Sequence, residues 1–221
     1  MQAAHEELEP VYVWDLVVRL THWAIALSIL MLAATGIYIG HPFIRGEFVM
    51  GWAKVLHFYF AILFTLGVLS RIAWMFLGPR RSSWRNFVPV AKRRRRDLVE
   101  TLKFYMLLRA TPPRTIGHNP LAGLSYLGVF ALYFLMVATG LAMYSVSTAS
   151  YMHVWSFFVP VFHGLGWARW IHHAGMWVIL MFFVAHMFFS SLTSRSEKNG
   201  TIDSIFSGWK FLPKGTPPDD E

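Results

Sequence analysis

The sequence of 221 residues contains no cysteine, and only 14% of its residues are charged. The chain therefore has no thiolate to ligate an iron–sulfur cluster and no Cys-x-x-Cys-His motif to attach a haem covalently. Asp and Glu total only 12, and all of them lie outside the interiors of the long apolar stretches. Together with the lack of a His-Glu-x-x-His motif, this scarcity of carboxylates argues against a zinc-dependent membrane enzyme or a metal transporter.

Apolar residues dominate the chain, at 55% of the sequence, and the mean hydropathy is +0.43. Four apolar stretches, about 16–40, 52–78, 119–146 and 168–193, are each long enough to cross about 30 Å of hydrocarbon as a tilted helix. The stretches are continuous rather than alternating, so transmembrane strands are not expected. We predict an all-α fold in which residues 1–221 form a single integral membrane domain, a four-helix bundle.

The basic residues are concentrated in one connection, because 11 of the 20 Lys and Arg lie in 79–118, including Lys92 and the run from Arg93 to Arg96. The positive-inside rule assigns this linker to the cytoplasm, and four spans then leave both termini cytoplasmic. The basic run is expected to contact anionic membrane lipid, and no nucleic-acid partner is predicted from it.

Three segments outside the spans carry further expectations. Residues 97–109 have apolar side chains at helical spacing, which predicts an amphipathic helix on the membrane surface, ended before Pro112 and Pro113. The polar tail after Arg195 is predicted to be mobile. The connection 147–168 is unusually apolar, so we expect it to dip into the membrane interface or to be covered by a partner protein.

Four histidines, His22, His57, His172 and His186, lie inside the apolar stretches, where an ionisable side chain is costly and indicates function. His172 and His186 are 14 positions apart, so they share nearly the same helix face at a separation of about 21 Å. Because successive spans run in opposite directions, depth pairs His57 with His172 and His22 with His186. Neutral imidazole is a common haem ligand, so the pattern predicts two bis-histidine b-type haems, one in each leaflet.

His173 competes with His172 for the same role. It is 13 positions from His186, which turns it about 140° away on an ideal helix. Helix geometry therefore favours His172 as the ligand, and only a bend in the helix would reverse this choice.

Three other polar residues near the span ends have two interpretations each. Arg19 and Arg71 either extend to lipid phosphates or pair with the propionates of the inner haem. His118, in the segment GHNPL, either donates to a haem propionate or a quinone carbonyl, or simply forms the start of the third span.

Spans one and three share a short similarity, LMLAATGIY and LMVATGLAMY, with Gly36 and Gly140 at equivalent places. Small-residue packing or a helix-end feature explains it more readily than a repeat with catalytic meaning. Gly67 and Gly175 allow close approach of either a porphyrin or a neighbouring helix, and the sequence does not separate the two.

Several segments together resemble a known family. RLTHW at 19–23, HF at 57–58, GHNPL at 117–121 and IHHAGMWVILMFFVAHMF at 171–188 resemble the b-type cytochrome subunit of membrane-bound nickel–iron hydrogenases. The resemblance covers about 15–210. The histidine arrangement alone is shared with formate dehydrogenase cytochrome subunits and with stand-alone di-haem quinol cytochromes. The doubled histidine followed by MW, the closing histidine and the basic linker fit the hydrogenase branch.

The resemblance implies a role in the bacterial inner membrane. Hydrogenase large and small subunits would oxidise hydrogen outside and reduce an outer haem held by His57 and His172. An inner haem held by His22 and His186 would then deliver the electrons to membrane quinone. No catalytic residue is assigned to this chain, which would act as an electron-transfer subunit. A stand-alone di-haem quinol oxidoreductase or a formate-dehydrogenase-type subunit are the alternatives.

Overall fold

The computed structural model describes residues 7–44, 46–111, 113, 115–146 and 150–214. Four of its helices are long and apolar enough to cross a membrane, namely α1 (Leu16–Gly40), α2 (Glu47–Leu77), α4 (Pro120–Tyr144) and α6 (Leu165–Glu197). The predicted helical membrane fold is therefore confirmed. Helices α2 and α6 extend beyond the predicted stretches, because hydropathy marks the apolar part of a helix while its backbone hydrogen bonds continue past it.

The remaining elements are short. They are the strands β1 (Leu8–Tyr12) and β2 (Trp209–Pro213), the helices α3 (Lys92–Tyr105), α5 (Phe158–Val161) and α7 (Ser204–Ser207), and 3₁₀ turns at Arg80–Ser82, Trp84–Asn86 and Ser150–Trp155.

The chain comprises two compact units. Unit 1 contains the described residues within Met1–Trp23, Leu69–Leu127 and Ala185–Glu221, and unit 2 contains those within Ala24–Val68 and Gly128–Val184. Each long helix contributes part of its length to each unit. As a result, His22 and His186 belong to unit 1, whereas His57 and His172 belong to unit 2.

A two-stranded antiparallel sheet in unit 1 joins the two ends of the described chain. In its register Leu8 lies opposite Pro213, and Tyr12 lies opposite Trp209 with ring centroids 5.1 Å apart. The prediction of a mobile tail is wrong for the described residues up to 214, because β2 is held by this ladder and Leu212 is buried in an apolar cluster. That cluster consists of Val13, Trp14, Val18, Ile116 and Leu212.

The start of α1 is fixed by the Asp15 carboxylate. One oxygen accepts from the Val18 backbone N–H at 3.0 Å, as an N-terminal cap does. The other accepts from Trp74 Nε1 at 3.0 Å and from Ser82 Oγ at 2.6 Å. Burial by itself raises the pKa of Asp15, but the hydrogen bonds from Ser82, Trp74 and Val18 outweigh it and hold the pKa below its usual value.

The linker helix α3 differs from its prediction in both bounds. It begins at Lys92 rather than at 97, so the basic run is helical, and Arg93 lies 3.7 Å from Asp97 one turn later. It ends at Tyr105, and Leu107 takes a left-handed φ of 61°. Pro112, predicted to follow the end of this helix, lies outside the described residues.

Candidate haem-binding sites

The first histidine pair lies in unit 2, where α2 contributes His57 and α6 contributes His172. Their ring centroids are 6.5 Å apart and the ring planes differ by 56°. Both side chains are only partly exposed within the described chain. The two helices therefore bring together the residues that the sequence paired by depth.

Two threonines support these rings from the neighbouring helices. Thr35 Oγ1, on α1, lies 2.9 Å from His57 Nδ1, and Thr139 Oγ1, on α4, lies 2.9 Å from His172 Nδ1. Sequence reasoning missed both threonines. The signal that could have found them was the Ala-Thr-Gly similarity between spans one and three, which was interpreted as helix packing.

The glycines that follow these threonines approach the same rings. A methyl group at Gly36 would lie 3.3 Å from His57 Cε1, and one at Gly140 would lie 3.5 Å from His172 Cε1. Gly67 and Gly175 instead face apolar side chains of neighbouring helices, Ile25 and Met136 respectively. The first two glycines thus belong to the site, and the other two serve helix packing in the structure.

The second pair lies in unit 1, where α1 contributes His22 and α6 contributes His186. Their ring centroids are 6.3 Å apart, with planes at 51°. His22 Nδ1 is buried and has no hydrogen-bond partner within the part of the chain that the structure describes. His186 Nδ1 lies 3.4 Å from the Tyr126 hydroxyl, a long contact compared with those of the threonines.

Both pairs have the separation that a shared iron requires. A metal–imidazole bond is about 2.0 Å long, so two imidazoles on opposite sides of one iron have ring centroids roughly 6 Å apart. The observed 6.3 and 6.5 Å agree with that value. Among the described residues, no three His, Cys, Asp or Glu side chains form a cluster of the kind that binds a single metal ion. The chemistry of the donors therefore suits haem better than zinc.

His173 is directed elsewhere. Its Nδ1 lies 2.9 Å from the Arg169 carbonyl on the same helix. Its Nε2 is the atom nearest to Gly40, 3.1 Å from where a methyl group would stand. The structure therefore puts His172, and not His173, opposite His57.

The three other candidate residues, Arg19, Arg71 and His118, all lie in unit 1. The His118 ring contacts Trp14, Phe87 and Tyr126, with centroids 4.5, 5.4 and 4.8 Å away. Burial, reinforced by the positive charge of Arg71 and other cations, holds the pKa of His118 well below its usual value. This environment therefore favours the neutral form of the His118 imidazole.

The two arginines are both held by backbone carbonyls. Arg71 is 6% exposed, its Nη1 lies 3.4 Å from the Ser82 carbonyl, and its guanidinium stands over the Phe87 ring at 5.3 Å. Arg19 donates to the Phe206 carbonyl, while its Nε is buried without a partner among the described residues.

Comparison with known proteins assigns the family. Residues 13–208 match the family of prokaryotic cytochrome b561. The chain belongs to this family of membrane b-type cytochromes. Haem b is accordingly its cofactor, and the histidine pairs are the groups in the described chain that fit it.

Individual relatives cover nearly the whole chain. A "Probable Ni/Fe-hydrogenase B-type cytochrome subunit" of Cupriavidus necator is 33% identical over 94% of this chain and 90% of its own length. A protein of the same name from Azotobacter vinelandii is 30% identical over 94% and 91% of the two chains. The "Probable Ni/Fe-hydrogenase 1 B-type cytochrome subunit" of Escherichia coli is 30% identical over 95% and 94%.

Proposed function

We propose that this cytochrome transfers electrons from the hydrogen-oxidising subunits of a nickel–iron hydrogenase to membrane quinone through two b haems. The observation that carries the proposal is the presence of two histidine pairs, each with a ring separation that suits one iron. His57 and His172 would hold one haem in unit 2, and His22 and His186 would hold the other in unit 1. When bound, haem supplies reversible one-electron chemistry.

The protein supplies ligands and electrostatics. If both histidines of a pair held the haem, they would exclude oxygen as a ligand, so oxygen binding is not expected at either site. In unit 1 the buried cations Arg71 and Arg94 act on His118 and favour negative charge nearby, whereas a third buried cation, Lys210, is paired with Glu197 at 3.8 Å. Such a region would stabilise the propionate carboxylates of a haem. We propose that Arg71, Arg19 and His118 bind these carboxylates.

We propose the following orientation from the distribution of charge. The basic linker, including α3, faces the cytoplasm, and both termini are cytoplasmic in a bacterial inner membrane. By its position along span one, His22 then lies toward the cytoplasmic side, and His57 and His172 lie near the ends of spans that enter from outside. Electrons would enter at the haem of unit 2 and leave for quinone from the haem of unit 1.

The proposed partner is supported by two observations. The relatives described above carry hydrogenase names over nearly their full lengths. The connection between α4 and α6 also exposes large apolar side chains, with Val154 65%, Phe157 55% and Val161 62% exposed. Exposed apolar area of this kind is typical of a covered surface. A stand-alone quinol oxidoreductase or a formate-dehydrogenase-type subunit would need no such hydrogenase contact.

Purification from membranes of the native host tests the proposal. A reduced-minus-oxidised spectrum and extraction with acidified organic solvent should reveal low-spin haem b, about two per chain, released without covalent residue. The preparation should contain nickel and iron–sulfur subunits, and hydrogen should reduce both haems. Haem without any hydrogenase subunit would favour the stand-alone alternative, and a chain free of haem would refute the assignment of the histidine pairs.

A further inference from the structure

The two threonines that face the unit 2 histidines have equivalent hydrogen-bond arrangements. Thr35 Oγ1 lies 2.6 Å from the Met31 carbonyl, four residues earlier on its own helix, and 2.9 Å from His57 Nδ1. Thr139 Oγ1 lies 2.8 Å from the Leu135 carbonyl and 2.9 Å from His172 Nδ1. A threonine followed by glycine thus occurs twice with the same contacts.

The positions of the protons follow from these distances. A hydroxyl has one proton, and each threonine donates it to the carbonyl of its own helix, because a carbonyl can only accept. The hydroxyl oxygen then presents a lone pair to the imidazole, so Nδ1 must carry a proton and donate it. This tautomer leaves the lone pair on Nε2, where a metal is ligated.

His22 of unit 1 lacks this arrangement. His22 Nδ1 has no partner in the described chain, and the Tyr126 hydroxyl is 3.4 Å from His186 Nδ1. A good acceptor at Nδ1 makes an imidazole a stronger donor to iron, which stabilises the oxidised state. The two sites therefore differ at Nδ1 of a histidine ligand, because both rings of unit 2 have a threonine there and His22 has no partner among the described residues.

We propose that Thr35 and Thr139 are positioning residues that fix the tautomer of His57 and His172 and lower the midpoint potential of the haem in unit 2 relative to the haem in unit 1. This inference rests on the proposed function, since it requires haem at both pairs. It deepens that function, because a lower potential at the entry haem makes transfer to the exit haem favourable.

The test is a spectroelectrochemical titration of the full-length, haem-loaded chain and of Thr35→Val and Thr139→Val. Valine keeps the shape of threonine and removes the acceptor. We expect each variant to shift the oxidised-to-reduced ratio of the unit 2 haem about tenfold toward the reduced form at a fixed potential, a rise of about 59 mV for a one-electron couple. The haem of unit 1, identified as the one that a His57→Ala variant retains, should titrate as in the native chain.

Three further variants separate this role from a structural one. Thr35→Ser and Thr139→Ser keep the hydroxyl and should restore the native potential. Thr65→Val is the matched control, because the Thr65 hydroxyl of unit 2 makes the same bond to its own helix, 2.7 Å from the Ala61 carbonyl, yet no histidine contact is described for it. It should leave both potentials unchanged.

Each outcome has one meaning. Unchanged potential in both valine variants with haem retained would overturn the inference, as would an equal shift of both haems or a shift in Thr65→Val. If a valine variant loses the haem, Thr→Ala at the same position takes its place, and the Thr→Ser variant must still titrate as native. A native chain without haem would instead refute the proposed function and would be recognised before any variant is compared.

Discussion

The rings of His57 and His172, from α2 and α6, lie 6.5 Å apart, while the adjacent His173 bonds to the Arg169 carbonyl of its own helix. One position along α6 therefore separates a side chain that faces a second imidazole from one that does not. Two histidines can hold one haem only if their rings face each other. Substitution of His172 and substitution of His173 should therefore affect haem binding differently.

The two histidine pairs should be separable by substitution. His57→Ala should remove only the haem of unit 2, because the rings of the other pair belong to unit 1. His22→Ala should remove only the haem of unit 1. Spectra of each variant during reduction with hydrogen should show no reduction of the remaining haem in His57→Ala, and a reducible remaining haem in His22→Ala.

Chemical reduction with dithionite provides the control, since it reaches any haem that is present regardless of the pathway. If both variants lose the same spectral component, the pairing of residues into two sites is wrong.

Substitutions at His172 and at His173 should have different effects on the haem of unit 2. We expect His172→Ala to abolish the haem of unit 2 and His173→Ala to retain it, with at most a small change in its potential. Redox titration of the two variants measures both properties. Loss of that haem in His173→Ala, together with retention in His172→Ala, would mean that α6 turns differently around these residues.

The sequence was sufficient for the parts of the fold that depend on periodicity and hydropathy. Long apolar stretches predict membrane helices because the hydrocarbon core requires every backbone group to bond within the helix. The pairing of His57 with His172 needed only the alternating direction of the spans and the number of residues per turn. The hydropathy of a stretch and the position of a histidine along its span can both be obtained from the sequence of single spans.

The contacts of the terminal sheet and of the two threonines were beyond sequence reasoning. The β1–β2 sheet joins residues about 200 positions apart, and a five-residue strand with little alternation carries no strong local signal. Thr35 and Thr139 were overlooked because a threonine in an apolar helix usually bonds to its own backbone, which both of them also do. Only the spatial position of the histidines reveals their second contact.

Two glycines of α4 should respond in opposite ways to substitution by alanine. A methyl group at Gly123 would stand 2.9 Å from the Phe87 carbonyl oxygen and 3.0 Å from that of Asn86, so the backbone of the linker would have to move. Such overpacking typically costs about 1–3 kcal/mol. Gly128 has nothing within 4 Å of the same position, so Gly128→Ala should be neutral or slightly stabilising.

Thermal unfolding in detergent, followed by helical circular dichroism, measures both variants. Equal melting temperatures for Gly123→Ala and Gly128→Ala would contradict the close packing of the linker on α4.

Asp15 is the carboxylate whose removal should destabilise unit 1 most clearly. Asp15→Ala removes the cap of α1 and leaves Trp74 Nε1 and Ser82 Oγ without their acceptor. The loss of the cap and of these partly buried hydrogen bonds should together cost about 2–3 kcal/mol at pH 7. Glu100→Ala is the control, because within the described part of the chain that carboxylate bonds to the exposed Lys103 and Arg109, and exposed pairs contribute little.

The stabilisation of the fold by Asp15 should decrease as the pH falls. Its pKa in the folded chain is lower than its usual value, so the folded state stabilises the ionised form. The contribution is therefore complete above the unfolded pKa of about 3.9 and is lost as the pH falls through the folded value. Melting temperatures of the native chain and of Asp15→Ala should differ most between pH 5 and 7, and the difference should decrease as the pH falls below about 4. A difference in melting temperature that stays constant down to pH 3 would show that ionisation of Asp15 does not contribute to stability.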